Sequence, residues 1–284
     1  MTGMNRFLCI LVAAFTLHFA LPAVAQDAKR AIEQVEGDVY RFQNNFHFAM
    51  FVVTDEGIVV TDPIDAEAVD WLKQELANQF DKPVTHMIMS HHHADHASGG
   101  QGWGDIEVIA HENFPAHVEA GDVDTAMPTE TIGDSHSFEF GGKTFELTYL
   151  GEGHGDDMIV TVVRPENVAF VVDVVSPKRL PWRDFPRTDI DGMIDQINVV
   201  ESLDFDILLP GHSSVGTKED ATNTRLYIEH LKKEVQAALD EGKSEEEILA
   251  SDITDDYKEW GAYDMLRDLN IQGMIRYLKT GSTG

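Results

Sequence analysis

The feature that most constrains this chain is residues 91–96, His-His-His-Ala-Asp-His, which put four histidines and one aspartate into six residues. They follow the apolar run Val84-Thr85-His86-Met87-Ile88-Met89, which reads as a short buried strand, and precede Gly99-Gly100, where the backbone can turn. Imidazole nitrogens and a carboxylate at a strand end suit zinc and other borderline divalent metals, whereas calcium wants mostly oxygen. If the backbone stays extended, His91, His93 and Asp95 share one side and His92 points to the other. Histidine tracts also bind metal adventitiously as tags, but this one is internal and carries an aspartate in register.

The remaining composition narrows the chemistry. Arg6, a nearly apolar stretch over residues 7–21 and Ala23-Val24-Ala25 read as a secretory signal peptide spanning residues 1–25. A periplasmic or secreted protein, with no membrane attachment after cleavage, is the expectation. The chain has one cysteine, Cys9, and it lies inside that segment. Residues 26–284 therefore have no thiol for a disulfide or a metal, and a site must be built from His, Asp, Glu and water. The formal net charge of −29 repels nucleic acid and anionic lipid and leaves a small molecule as the expected partner.

Along residues 26–284 we expect one domain ending in a helical segment. Residues 38–62 read as antiparallel strands with a hairpin at Asp55-Glu56-Gly57, and residues 65–80 as a helix with Ala68, Val69, Leu72 and Leu76 on one face. Residues 121–135 read as loop. Gly141-Gly142 marks another hairpin, two apolar strands follow over 158–163 and 168–175, and the spacing of Ile228, Leu231, Val235 and Leu239 is helical.

Three more metal-capable residues stand beside small residues at strand ends: His154 in Gly151-Glu152-Gly153-His154-Gly155, Asp173 after Val168-Ala169-Phe170-Val171-Val172, and His212 after Pro210-Gly211. Alone, each is as readily a capping or hydrogen-bonding residue. Asp173 is the least ordinary, because a carboxylate closing so apolar a strand needs a partner for its charge.

Together and in this order, the four segments resemble the metallo-β-lactamase superfamily. The resemblance implies an α/β (α+β) fold, a four-layer αββα sandwich with metals at one edge. It implies two Zn²⁺, with iron or manganese as alternatives: one held by His91, His93 and His154, the other by Asp95, His96 and His212, with Asp173 bridging both. It also implies hydrolysis of an activated or cyclic acyl bond (a β-lactam, lactone or other ester) by metal-bound hydroxide, with Asp95 steering the nucleophile or moving a proton as a catalytic residue. Thiol-containing β-lactamases of the family carry cysteine at the position of Asp173; lactonases and thioesterases carry aspartate. Asp62 matches a position that orients ligands, and reads equally as a turn residue before Pro63. Phe46 and Lys178 are candidates for the substrate pocket, with Arg179 as the alternative to Lys178 for pairing a substrate carboxylate, and Phe46 equally for core packing. His92 is expected to be structural, and His47, His86, His111, His117, His136 and His230 match no ligand position. Two other readings are an iron-dependent redox member of the same superfamily and a non-catalytic periplasmic metal-binding protein.

Overall fold

The computed structural model describes residues 28–283; the segment read as a signal peptide, with Cys9, lies outside them. Strands β1 (Arg30–Glu36), β2 (Val39–Asn44), β3 (His47–Val53) and β4 (Ile58–Thr61) form an antiparallel meander. Helix α1 (Ala66–Phe80) then crosses over so that β5 (Val84–Ile88) lies parallel to β4. Asp65 starts this helix, its carboxylate accepting from the Ala68 N–H at 2.7 Å. The four apolar positions read from spacing are the ones it buries. After the four-residue helix α2 (Ala94–Ala97) come β6 (Glu107–His111), α3 (Phe114–Ala120) and β7 (Glu130–Ile132), which complete a seven-stranded sheet in sequence order.

The second sheet holds β8 (Ser135–Phe140), β9 (Lys143–Tyr149), β10 (Ile159–Arg164) and β11 (Val168–Val171), then, after α4 (Ile190–Ser202), β12 (Ile207–Pro210). Its order is β12-β11-β10-β9-β8, with β11 and β12 parallel. Helices α5 (Lys218–Asp240), α6 (Glu245–Leu249) and α7 (Tyr263–Thr280) follow. No helix among the described residues is long and apolar enough to cross a membrane.

Side-chain alternation assigns the layers. Val168, Phe170 and Val172 join a core shared with Val52, Val59, Ile88 and Ile109 of the first sheet. Their neighbours Ala169 and Val171 join a second core with Ile197, Tyr227, Ile228 and Leu231 of α4 and α5. In the first sheet Val59 faces inward, while Ile58 and Val60 pack with Ala68, Val69, Leu72 and Leu76 of α1. Strands buried on both faces between helices give four layers, α/β/β/α. The expected fold class holds.

Three local expectations do not. β1 was not read, because four of its seven residues are polar or charged and it is an edge strand with little buried surface. Residues 121–135 were read as loop, yet Glu130–Ile132 pairs with β6 as a strand too short to show a period. The backbone after β5 is not extended through Asp95 either. It turns at His93 into α2, so alternation does not set the directions of Asp95 and His96.

Candidate metal centre

The strand ends converge at one edge of the sandwich. Asp62 follows β4, His91 follows β5, His154 lies between β9 and β10, Asp173 follows β11, and His212 follows β12. There the ligand atoms of His91, His93, His154 and Asp173 lie within 4.8 Å of one another, and so do those of His96, Asp173 and His212. Asp173 belongs to both groups. Its Oδ2 is 3.5 Å from His91 Nε2 and 3.2 Å from His154 Nε2; its Oδ1 is 3.3 Å from His96 Nε2 and 3.1 Å from His212 Nε2. One carboxylate thus divides its two oxygens between two sets of imidazoles. It does so from a left-handed backbone with φ 60, which a short polar side chain tolerates better than most.

The hydrogen bonds on the far side of each ring show what the near side offers. Ser90 Oγ donates to Asp62 Oδ2 at 2.7 Å and so accepts from His91 Nδ1 at 2.9 Å. Thr188 Oγ donates to the Pro186 carbonyl and faces His154 Nδ1 at 3.3 Å. The Phe46 carbonyl accepts from His212 Nδ1 at 3.2 Å, whereas Asp62 Oδ2 stands 3.4 Å from His96 Nδ1 as an ion-pair neighbour without a hydrogen bond. With the proton assigned to Nδ1 in this way, the rings of His91, His154 and His212, when neutral, each turn an Nε2 lone pair toward Asp173. His91 Nε2 is fully buried and has no hydrogen-bond partner among the described residues, and neither has Asp173 Oδ1. Lone pairs facing a carboxylate in a buried space call for cations between them, and His/Asp donors without thiolate fit borderline divalent metals. A second set of oxygens orienting the ligand rings is the usual company of such a site.

The proton affinities follow the same geometry. Burial, then the neighbouring His91 and His154, brings His93 down to about 2. Burial also lowers His91, against the pull of Asp173. His96 and His212 resist burial because Asp173 attracts their charged forms, helped by Asp62 for His96 and by Asp95 for His212. His96 rises well above its ordinary value, and His212 rises to about 9. The two Nε2 atoms are only 2.9 Å apart. Asp173 is itself held well below the usual carboxylate range, since His96 and His212 outweigh its burial.

Asp95 stands at the outer side of the second group. Its Oδ2 is 3.4 Å from His212 Nε2, 3.8 Å from His96 Nε2 and 3.5 Å from His47 Nε2. His47 had matched no family position, yet it forms a third metal-capable group with Asp95 and His212. The hairpin carrying it, residues 44–48, was the available signal. Asp62 is 2% exposed and also accepts from the Ser90 N–H at 2.8 Å, so its carboxylate holds the residue that precedes His91. Ser90, Thr188 and Gln196 were missed. The Gln196 side chain, fully buried, accepts from the His154 N–H at 2.8 Å and donates to the Gly151 carbonyl at 2.7 Å, fixing the loop that presents His154. Gly153 is required there, because a Cβ would come within 2.5 Å of Gln196 Oε1.

Around the rim, Phe46 is 81% exposed at the tip of the β2–β3 hairpin, so it does not pack in the core. Lys178 is also exposed, and its carbonyl accepts from Gly261. The neighbouring Arg179 is the partly buried cation of this segment; burial lowers its proton affinity while Asp173 raises it, and its guanidinium lies 5.7 Å from the Trp182 ring. Of the two cations read for a substrate carboxylate, Lys178 is thus the exposed one and Arg179 the partly buried one. His92 turns away from the donors to Asp157.

A family model described as the metallo-beta-lactamase superfamily matches residues 44–212, more than half of the chain and every donor above. The chain belongs to the metallo-beta-lactamase superfamily. It is 25% identical over 184 residues to a type 2 metallo-beta-lactamase of Bacillus sp. (strain 170) and 25% over 180 residues to that of Bacillus cereus. It is 26% identical over 127 residues to metallo-beta-lactamase IND-1 of Chryseobacterium indologenes. These matches take in 58%, 58% and 42% of this chain. The chain spans 66% of the length of each Bacillus enzyme and 51% of IND-1. Its fold is similar to that of a metallo-beta-lactamase from Pontibacter korlensis, with TM-score 0.63 at 17% identity over 71% of this chain and 99% of that one. It is also similar to metallo-beta-lactamase IND-7, with TM-score 0.62 at 20% identity over 72% and 100%. The chain is thereby a member of a family of metal-binding hydrolases.

Proposed function

We propose that the protein is an exported binuclear zinc hydrolase that opens a cyclic or otherwise activated acyl bond, with β-lactams and lactones as its substrate class. The observation that carries this is the division of Asp173 between two imidazole groups. His91, His93 and His154 would hold one metal, Asp95, His96 and His212 the other, and Asp173 both. When bound, such ions supply a water whose pKa falls to about 7 and an electrophile for a carbonyl oxygen. The residues of the chain do the rest. Asp62, Ser90, Thr188 and the Phe46 carbonyl hold the rings in one orientation. Asp95, 48% exposed and held below its ordinary range chiefly by His212 and His47 against its burial, stays a carboxylate and steers the nucleophile on the substrate side. Phe46 covers an apolar substrate, and Arg179 meets a substrate carboxylate.

The test is ring opening by the zinc-loaded protein, with a chelator-treated control. Chelator-sensitive β-lactam turnover makes it a β-lactamase that uses aspartate as its bridging residue. Turnover of lactones or esters alone places it with the lactonase-like hydrolases. Bound zinc with no turnover of any of these acyl substrates overturns the hydrolase reading.

The two groups should also fill differently with pH. His96 and His212 carry protons that a metal must displace, so their metal affinity weakens as pH falls below about 9, where His212 takes up its proton. His91 and His93 have no such proton near neutrality. Zinc titration of chelator-treated protein should therefore show one tight and one weakened equivalent at about pH 6, and two more nearly equal ones at about pH 9. Equal weakening of both would contradict the assignment.

A further inference from the structure

We propose that helix α7 and the residues flanking it, 261–283, determine substrate selection: Asn270, Arg276 and Thr283 hold residues 174–188 as one fixed wall of the metal centre. The proposal rests on reading that segment, which carries Arg179, as the substrate side of the centre. All three residues act through the segment, so they are positioning residues.

The segment is tied to the centre at both ends. It begins directly after Asp173, and near its end Thr188 faces His154 Nδ1 at 3.3 Å. Between them stand Lys178, Arg179, Arg183 and Arg187, four cations close together in a chain of net charge −29. Trp182, 54% exposed, lies beside Arg179. The backbone that presents them is not a relaxed one. Lys178, Arg183, Phe185 and Arg187 have φ of 49, 49, 55 and 56, and residues other than glycine keep that conformation only where their surroundings impose it.

Residues 261–283 impose it. The Lys178 carbonyl accepts from the Gly261 N–H at 2.8 Å, and the Leu180 N–H donates to the Gly261 carbonyl at 3.1 Å. Asn270 is fully buried. Its Oδ1 accepts from the Tyr227 hydroxyl at 2.8 Å, which orients the amide so that Nδ2 donates to the carbonyls of Pro181, at 3.0 Å, and Arg183. Gly273 allows α7 to come this close, since a Cβ there would stand 2.4 Å from the Asp184 carbonyl oxygen. Arg276 donates from Nη2 to Asp184 Oδ2 at 2.7 Å and from Nε to the Thr283 carbonyl at 2.6 Å. Thr283 Oγ1 accepts from the Thr188 N–H at 3.0 Å and donates to the Thr188 carbonyl at 2.8 Å. The residue that faces His154 is thereby fastened to the segment after α7.

The zinc-loaded full chain is compared with two variants. Asn270→Asp keeps the shape and the acceptor for Tyr227 but loses both donors, and Arg276→Gln alters a side chain that is 37% exposed, so the core stays packed. Trypsin should leave the wild-type wall intact although Arg183 and Arg187 are exposed. Cleavage after them, read by mass, should be at least about tenfold faster in each variant, with helical circular dichroism unchanged. KM should rise about tenfold while kcat falls by less and zinc content at saturation stays the same, because the wall is displaced and the donors are not. Wild-type KM in both variants overturns the proposal, as does wild-type trypsin resistance in both. If wild type turns over no acyl substrate, the hydrolase reading fails separately. The trypsin rates then decide alone: equal rates overturn the anchoring of the wall, and faster rates in the variants sustain it.

Discussion

Replacing Asp173 by alanine is expected to abolish hydrolysis and to remove at least one of two bound zinc ions. The side chain is the single group common to both imidazole sets, so no other residue can restore the charge between them. Removing a partner that merely orients a ligand lowers metal affinity or activity about 10–100-fold, and loss of the shared ligand should exceed that. Alanine also has to adopt the left-handed φ of 60 at this position, which costs on the order of 1–2 kcal/mol. Asp173→Asn separates the two effects, because asparagine tolerates that backbone and keeps the shape while losing the charge. Metal analysis and turnover of both variants should therefore agree. An asparagine variant that retains two zinc ions and full turnover would remove Asp173 from the site.

The largest effect on stability should come from Phe170→Ala. Phe170 is 2% exposed at the middle of β11, in the layer between the two sheets, with Thr161 and Leu209 beside it on neighbouring strands. Loss of a buried phenylalanine costs roughly 3–5 kcal/mol through lost transfer energy and the cavity left behind. Both adjoining layers are packed, which limits collapse into that cavity and places the expectation in the upper part of the range. Urea unfolding of the chelator-treated variant measures this without the contribution of bound metal. Because Asp173 is only three residues further on, zinc affinity should fall as well. A cost below about 1 kcal/mol would mean that the sheets do not meet as closely as the shared core requires.

Most of the centre was legible because strand ends in this fold are marked locally. A run of β-branched and apolar residues followed by glycine, proline or a metal-capable residue singles out His91, His154, Asp173 and His212 as candidates, and their order, through its resemblance to the metallo-β-lactamase superfamily, makes them expected ligands. The helices were legible for a similar reason: α1 and α5 bury the positions that a 3.6-residue period selects. What was missed lacks a local mark. Ser90, Thr188 and Gln196 are ordinary polar residues whose role depends on the ring each one faces. β1 and β7 are edge strands of the first sheet, stabilised by pairing rather than by a buried face.

The sequence by itself determined the donor chemistry, since residues 26–284 contain no cysteine and concentrate histidine and aspartate where strands end. The layer order was expected from the resemblance of the ordered motifs to the metallo-β-lactamase superfamily; the alternation of strands and helices was compatible with it without selecting it. Only the tertiary structure decided how the donors are shared. His96 and His212 are 116 residues apart in the chain and meet within 2.9 Å, and Asp173 turns one oxygen to each imidazole set because a left-handed residue ends its strand. It also brought His47 to Asp95 and His117 to His92. Periodicity fixes which side of an element a residue occupies. Which other element that side meets depends on how the two sheets stack and where their loops return, and no spacing along the chain records that.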